Sequence, residues 1–333
     1  MATNITNPKD QIATKQVVFK AFRFNADTDI LPYYEEYKLI VTQEDVVLDI
    51  LNKIKWEHSG SFSYRRSCRH GICGSCAIKV NGKAVLACKE RMFNLIETFG
   101  TELILDPLNK SRAIKDLIID KADFWNKYNS VQPFLIANVD KNPVKENIIK
   151  QLEADKLLNA DYCIQCGACY YSCPAVEVNP EYLGPAALAK AYRFNSDIRD
   201  EAKIDRLDTV NQMGSGIWNC VKCFECTQVC PKEVNPMDKI TQLHLQTFQE
   251  GVADNNVATR HAVGFKHSIE KHGLLDEGGL VFYSEGIFGM PQHIPEAINM
   301  LKNGKIPMPW SLPKSKNLAE IKKLVKISST AKF

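Results

Sequence analysis

The stretch Cys163-Ile164-Gln165-Cys166-Gly167-Ala168-Cys169-Tyr170-Tyr171-Ser172-Cys173-Pro174 decides how the second half of this chain is built. Its spacing, Cys-x2-Cys-x2-Cys-x3-Cys-Pro, returns at Cys220, Cys223, Cys226, Cys230 and Pro231. Three cysteines two residues apart wrap one turn of backbone around a cubane iron–sulfur cluster and offer it three thiolates. The fourth points away along the next helix, and where two such runs occur it ligates the other cluster. The proline keeps the chain from coiling back. Zinc is the competing occupant, but four-cysteine zinc sites usually pair two CxxC knuckles across a longer gap. A disulfide framework does not suit a chain of 333 residues whose first fifteen are polar and do not read as a secretory signal.

Working outward, a second cysteine pattern lies upstream: Cys68-x4-Cys73-x2-Cys76, then Cys88. This is the plant-type spacing for a [2Fe–2S] cluster. The loop reads Ser67-Cys68-Arg69-His70-Gly71-Ile72-Cys73-Gly74-Ser75-Cys76. Gly71 and Gly74 permit positive φ and close approach, so backbone N–H groups can turn toward an anionic cluster. Ala77–Val80 and Lys83–Cys88 flank Asn81-Gly82, the strongest short hairpin signal. Pairing outward from that turn brings Cys88 to within one position of Cys76, so a hairpin delivers the fourth ligand. Arg65, Arg66 and Arg69 form a basic rim: a solvated surface, charge stabilisation of a reduced cluster, or a docking site for a partner.

The twelve cysteines fall into three groups of four with none left over. Hydrophobic content of 45% and charged content of 24% suit a folded domain protein. A net charge of +3 is too small to indicate nucleic acid as a partner. No apolar run reaches the roughly 18 residues of a membrane span. No GxGxxG or Walker-type loop is present and no acid–base set stands out, so a wire fits better than a chemist.

In order, residues 1–16 read as a flexible tail. Val17–Phe24 and Tyr34–Val41 read as strands. Thr42, with Asp45 three residues on, reads as the cap of a helix whose apolar face is Val47, Ile50, Leu51 and Ile54. Thr101–Leu105 is a strand that closes a first domain at about residue 112. A helix is expected from Ser111 through Ile114, Leu117, Ile118, Phe124, Trp125 and Tyr128, then connecting loop, making residues 113–147 a linker. Residues 148–250 read as a helical domain around the two cubane runs, with helices over Ala186–Phe194 and Met237–Phe248. Residues 251–333 hold no cysteine, and residues 301–333 carry eight lysines against one acidic residue, Glu320. A short amphipathic helix capped at Asn317 is expected there. The basic segment reads either as solvated surface or as a site for a membrane surface or acidic partner.

The residues Tyr64–Cys76, the first cubane run, Tyr182–Leu188 and Cys226–Lys232 resemble the iron–sulfur subunit of succinate dehydrogenase and fumarate reductase, over roughly residues 17–245. The resemblance implies an α+β chain: an N-terminal β-grasp ferredoxin domain, then an all-α bacterial-ferredoxin-like domain with a C-terminal extension. It implies that Cys163, Cys166, Cys169 and Cys230 hold a [4Fe–4S] cluster, and that succinate or fumarate reacts on a separate FAD-bearing flavoprotein, leaving no catalytic residue in this chain. Arg69, Gly71 and Gly74 belong to the [2Fe–2S] signature. In the common family form the third centre is [3Fe–4S], held by the equivalents of Cys173, Cys220 and Cys226, with no cysteine at the position of Cys223. Here a fourth thiolate makes a second [4Fe–4S] the expectation. Ala175, Glu177, Val178 and Val221 stand where that form has quinone-site residues.

Both departures fit a branch whose anchor is a peripheral, cysteine-rich subunit resembling heterodisulfide reductase. Gly278-Gly279-Leu280 and Ile294–Pro307 are similar to the end of the small cluster-bearing heterodisulfide reductase subunit. Quinone would be reached through that partner, or through an ordinary membrane anchor. The resemblance places the chain peripherally at the inner membrane, on the cytoplasmic side by default, or on the periplasmic side if co-exported with a partner. The alternative function is a subunit of a thiol-linked fumarate reductase.

Overall fold

A computed structural model of the protein describes residues 13–137, 144–146, 148–305 and 313–330. Most of the expected tail, part of the expected connecting loop and Pro307 lie outside the described residues. The chain divides into two compact units, residues 1–249 and 250–333.

The first unit opens with β1 (Thr14–Arg23) and β2 (Tyr33–Thr42), then α1 (Val47–Lys53), β3 (Ala77–Val80), β4 (Lys83–Leu86), α2 (Met92–Phe99) and β5 (Glu102–Asp106). The strands form one mixed sheet in the order β2-β1-β5-β3-β4, with β1 and β5 parallel and the other neighbours antiparallel. Alternation places Val17, Phe19 and Ala21 of β1 in the core beside Val47, Ile50 and Leu51 of α1 and Ile54 just after it. β1 starts earlier than expected, because Thr14 and Lys15 already pair with Thr42 and Val41.

Two local expectations are corrected. Thr42 does not cap α1: its backbone N–H donates to Asp45 Oδ2 at 2.7 Å, closing a turn, and the helix begins at Val47. The helix expected from Ser111 does not form either: Lys110–Arg112 make one 3-10 turn and residues 113–121 are not helical. They form β6 (Ala113–Lys115) and β7 (Ile118–Ile119), and the helix α3 begins only at Ala122. The cause is Asp116, at φ 49°, which lies buried in the turn between them. Its carboxylate accepts from Arg23 Nε (2.9 Å), Phe24 N (3.2 Å) and Ser63 N (2.8 Å), binding this segment to the sheet.

After α3 (Ala122–Ser130) the unit is helical: α4 (Gln151–Asp155), α5 (Ala168–Tyr171), α6 (Pro174–Val178), α7 (Gly184–Asn195), α8 (Lys203–Asn211), α9 (Glu225–Gln228) and α10 (Pro236–Gln249). The chain is thus α+β, a mixed sheet followed by helices. α7 is buried almost all round and forms the axis of the helical part. Arg206 of α8 is fully buried and tied to Asp200, Asn195 and the Val131 and Gln132 carbonyls.

The second unit holds α11 (Val257–His272), α12 (Glu277–Gly289), α13 (Ile294–Lys302) and α14 (Leu318–Thr330). α14 starts directly after Asn317, whose carbonyl accepts the Glu320 and Ile321 N–H groups. α13 buries none of its residues and exposes Ile294, Ile298 and Leu301 at helical spacing. Among the described residues no helix is long and apolar enough to cross a membrane.

Candidate metal centres

The hairpin forms as its turn residues require: Ala77 pairs with Leu86 and Val80 with Lys83, so Cys76 faces Ala87 and Cys88 follows one position on. The loop before it folds back over these two cysteines with Arg69, Gly71 and Gly74 at positive φ. His70 N–H and Cys73 N–H point at Cys68 Sγ (3.4 and 3.3 Å), and Gly71 N–H at Cys88 Sγ (3.2 Å). Backbone donors therefore converge on the sulfurs, the arrangement that favours thiolates. Burial raises the Cys73 thiol, but hydrogen bonds from Ser75 and Cys68 outweigh it and hold the thiol at about 6. Cys76, deeper in the core, is pushed to about 12 by burial and then by the charges of Cys88 and Cys73. Arg65, Arg66 and Arg69 are exposed, with Arg66 bonded to Asn52 Oδ1 (2.7 Å) and stacked over Trp56.

Gly74 needs its glycine for a reason the loop alone does not reveal. A Cβ there would lie 2.7 Å from the Ile164 carbonyl oxygen and 2.8 Å from Cys166 Cα. The [2Fe–2S]-type loop thus touches the first cubane run backbone to backbone. Beside this contact lies an open cavity lined by Arg65, Cys73, Ser75, Lys121, Trp125 and Gln165.

The two cubane runs interleave. Burial first, then the charges of neighbouring thiols, raises each cysteine of the helical part named next. Cys166 is acted on by Cys163 and Cys230, and Cys169 by Cys166, Cys163 and Cys230. Cys163, Cys166, Cys169 and Cys230 line one cavity, closed by Ile164, Ala186, Ala189 and Pro231. A separate group forms from the end of the first run and the start of the second: Cys173 is acted on by Cys223 and Cys220, and Cys226 by Cys220, Cys173 and Cys223. Cys223 is the exposed member and Cys226 a buried one. Among the described residues no three His, Cys, Asp or Glu side chains are arranged to hold a single metal ion. The thiols instead surround spaces, and a donor set of sulfur alone suits iron–sulfur clusters.

Residues without a sequence signal complete these surroundings. Tyr182 is buried against Cys220, Cys173 and Cys226. Phe124 and Tyr128 of α3 pack with Tyr170 and Tyr171 of α5 as one aromatic cluster. Lys121 Nζ donates to the Cys166 carbonyl at 2.7 Å. Of the positions where the common family form has quinone-site residues, Ala175 is buried, whereas Val178 and Val221 are exposed, Val221 directly after Cys220.

This is an iron–sulfur protein with one hairpin-borne and two helix-borne cysteine groups. Residues 18–126 match the 2Fe-2S iron-sulfur cluster binding domain, and residues 159–234 match the 4Fe-4S dicluster domain. The fumarate reductase iron-sulfur subunit of Haemophilus influenzae is 34% identical over 244 residues, covering 70% of this chain and 93% of the relative. A mitochondrial succinate dehydrogenase iron-sulfur subunit of Oryza sativa is 39% identical, covering 68% and 82%. The succinate dehydrogenase iron-sulfur subunit of Coxiella burnetii is 35% identical, covering 70% and 98%. A chain of the Mycobacterium smegmatis Sdh1 complex shares the fold, with a TM-score of 0.62 at 24% identity, over 73% of this chain and 100% of that one. The chain belongs to the iron–sulfur subunit family of succinate dehydrogenase and fumarate reductase. It is an electron-transfer subunit of an oxidoreductase complex.

Proposed function

We propose that the chain relays single electrons through three clusters, between an FAD-bearing flavoprotein that handles succinate or fumarate and a membrane-side partner that reaches quinone. In this reading the N-terminal sheet is a β-grasp ferredoxin domain whose Cys68, Cys73, Cys76 and Cys88 hold a [2Fe–2S] cluster. Cys163, Cys166, Cys169 and Cys230 hold a [4Fe–4S] cluster, and Cys173, Cys220, Cys223 and Cys226 hold a second. When bound, each cluster supplies one-electron chemistry, at potentials tuned by hydrogen bonds, charge and burial. The observation that carries the reading is the interleaving of the two cubane runs, with Gly74 seating the hairpin loop directly on Cys166.

The chain's own residues do three things here. Backbone N–H groups of His70, Gly71 and Cys73 orient Cys68 and Cys88. Tyr182 and the short helices α5 and α9 exclude water from the cubane sites. The basic rim of Arg65, Arg66 and Arg69 offers a docking surface to the flavoprotein. At the other end, exposed Val178, Val221 and Phe224 surround the third group where the common family form builds its quinone site, and this favours a peripheral partner there. The second unit, with its lysines and the uncovered face of α13, serves as the docking arm for that partner, the heterodisulfide-reductase-like subunit, at the inner membrane. None of the three relatives above is named as a thiol-linked reductase, and nothing at the site favours that alternative.

The test is anaerobic purification of the complex from its native host. Succinate should reduce the clusters only when the flavoprotein is present, and quinone should reoxidise them. Clusters that stay oxidised with succinate and flavoprotein present would refute the reading.

A further inference from the structure

We propose that Lys121 and Lys190 are the counter-charges of the first cubane site and set its reduction potential. This rests on the assignment of a [4Fe–4S] cluster to Cys163, Cys166, Cys169 and Cys230.

The two lysines approach the site from opposite runs of chain. Lys121 immediately precedes α3, and its ammonium donates to the Cys166 carbonyl at 2.7 Å while lying 5.9 Å from the Phe124 ring centre. Its charge acts on the Cys166 thiol, and among the described residues Arg65, of the same sign, is the other charge acting on it. Lys190 sits on α7 directly after Ala189, which lines the cavity. It is 9% exposed, its ammonium lies 6.0 Å from the Phe194 ring centre, and its charge acts on the Cys163 thiol.

Among the described residues neither ammonium is ion-paired with a carboxylate. Elsewhere in the helical part the buried Arg206 is paired with Asp200, and the half-buried Arg193 and Arg199 with Asp197. A buried charge without a partner is strongly unfavourable, so a buried cation implies an anion nearby. The anion available to both lysines is the thiolate-ligated cubane. Four thiolates leave such a centre with about two net negative charges when oxidised and one more when reduced. Two ammonium groups match the oxidised charge and favour the extra electron, so they raise the potential. Lys190, buried beside Phe194 and Ala189, is kept from screening water, whereas the half-buried Lys121 borders the open cavity beside the hairpin loop and is held by its bond to the Cys166 carbonyl.

The experiment is a potentiometric titration of the full-length protein, purified anaerobically, with each centre followed by EPR. Lys121→Gln removes charge but keeps a donor for the Cys166 carbonyl, and Lys190→Met keeps the apolar stem. In each variant this centre should become harder to reduce by a factor of ten or more at fixed potential, about 59 mV for one electron. The [2Fe–2S] centre should shift less. An intact centre with unchanged potential in both variants overturns the proposal, as does an equal shift of the [2Fe–2S] centre. If a variant fails to assemble the centre, arginine at that position decides. Recovery of the centre and its potential supports a role for charge, and continued loss assigns the lysine to shape and overturns the proposal. Wild-type protein lacking a cubane signal that depends on Cys163 refutes the underlying ligand assignment, a result distinct from an unmoved potential.

Discussion

Replacing Gly74 by alanine tests whether the hairpin loop is seated on the first cubane run. Two costs add. At φ +69° an alanine occupies the left-handed region, which costs about 1–2 kcal/mol. The new methyl also lies 2.7–2.9 Å from Ile164 O, Cys166 Cα and Cys166 Cβ, where two of the three are backbone atoms that cannot swing aside. Overpacking of this kind typically costs about 1–3 kcal/mol. The sum is about 2–5 kcal/mol, a large share of the roughly 5–15 kcal/mol that holds a domain folded. Gly71→Ala is the internal control: φ is +65°, but the nearest atom is the flexible Lys89 side chain at 3.4 Å, so only the backbone cost applies. Anaerobic denaturant unfolding of the two variants, both with their clusters, should show Gly74→Ala less stable than Gly71→Ala by about 1–3 kcal/mol. Equal stability of the two would show that the loops do not meet as described.

Arg206→Met should cost about 3–5 kcal/mol, because it leaves the fully buried Asp200 carboxylate without its cation, and a thermal melt reads the loss directly. His244 provides a pH signature. Buried against Trp218 and bonded to the Ile217 carbonyl (3.0 Å), it is pulled down to about 4 by burial. The unfolded chain takes up that proton near pH 6.5 and the folded one only near 4. Stability is therefore full above about pH 6.5 and falls across that window, by about 3 kcal/mol. Unfolding midpoints at pH 7.5 and 5 should differ less in His244→Gln than in the wild type. Truncation after Gln249, the edge of the first unit, should leave all three centres and dye reduction in place while membrane attachment and quinone reduction fall. High salt should weaken attachment of the intact complex, because exposed lysines are screened over about 8–10 Å.

Much of the site was legible because cysteine spacing is a local code: each cubane run gathers three thiols on one turn and sends its fourth toward the other run, and Asn81-Gly82 fixes where Cys88 meets Cys76. What stayed hidden depends on contacts distant in sequence. Ile114, Leu117 and Ile118 fit helical spacing, yet Asp116 is claimed by Arg23, 93 residues away, and the segment becomes two strands. For the same reason a [2Fe–2S] fragment ending near residue 112 would remove the buried carboxylate partner of Arg23 and leave it only Glu35, so a fragment meant to fold should run past Asp116. Thr42 and Asp45 look alike as a cap or as a turn until the end of the strand is known. Lys121 and Lys190 belong to no motif, because nothing local marks a lysine that will lie beside cysteines 45 and 27 residues away. The backbone freedom of Gly74 shows in the loop sequence, but its contact with Cys166 appears only when the sheet and helices are packed together.

The measurement that bears most directly on the three-cluster account is iron content together with the oxidised EPR spectrum of anaerobically purified protein, wild type and Cys223→Ser. Cys223 is exposed yet faces Cys173 and Cys226, so an iron held by it would be the one most open to solvent. The wild type should carry about ten irons per chain and no three-iron signal, and the variant about nine irons with such a signal. About nine irons and a strong three-iron signal in the anaerobic wild type, unchanged by the substitution, would contradict the three-cluster account.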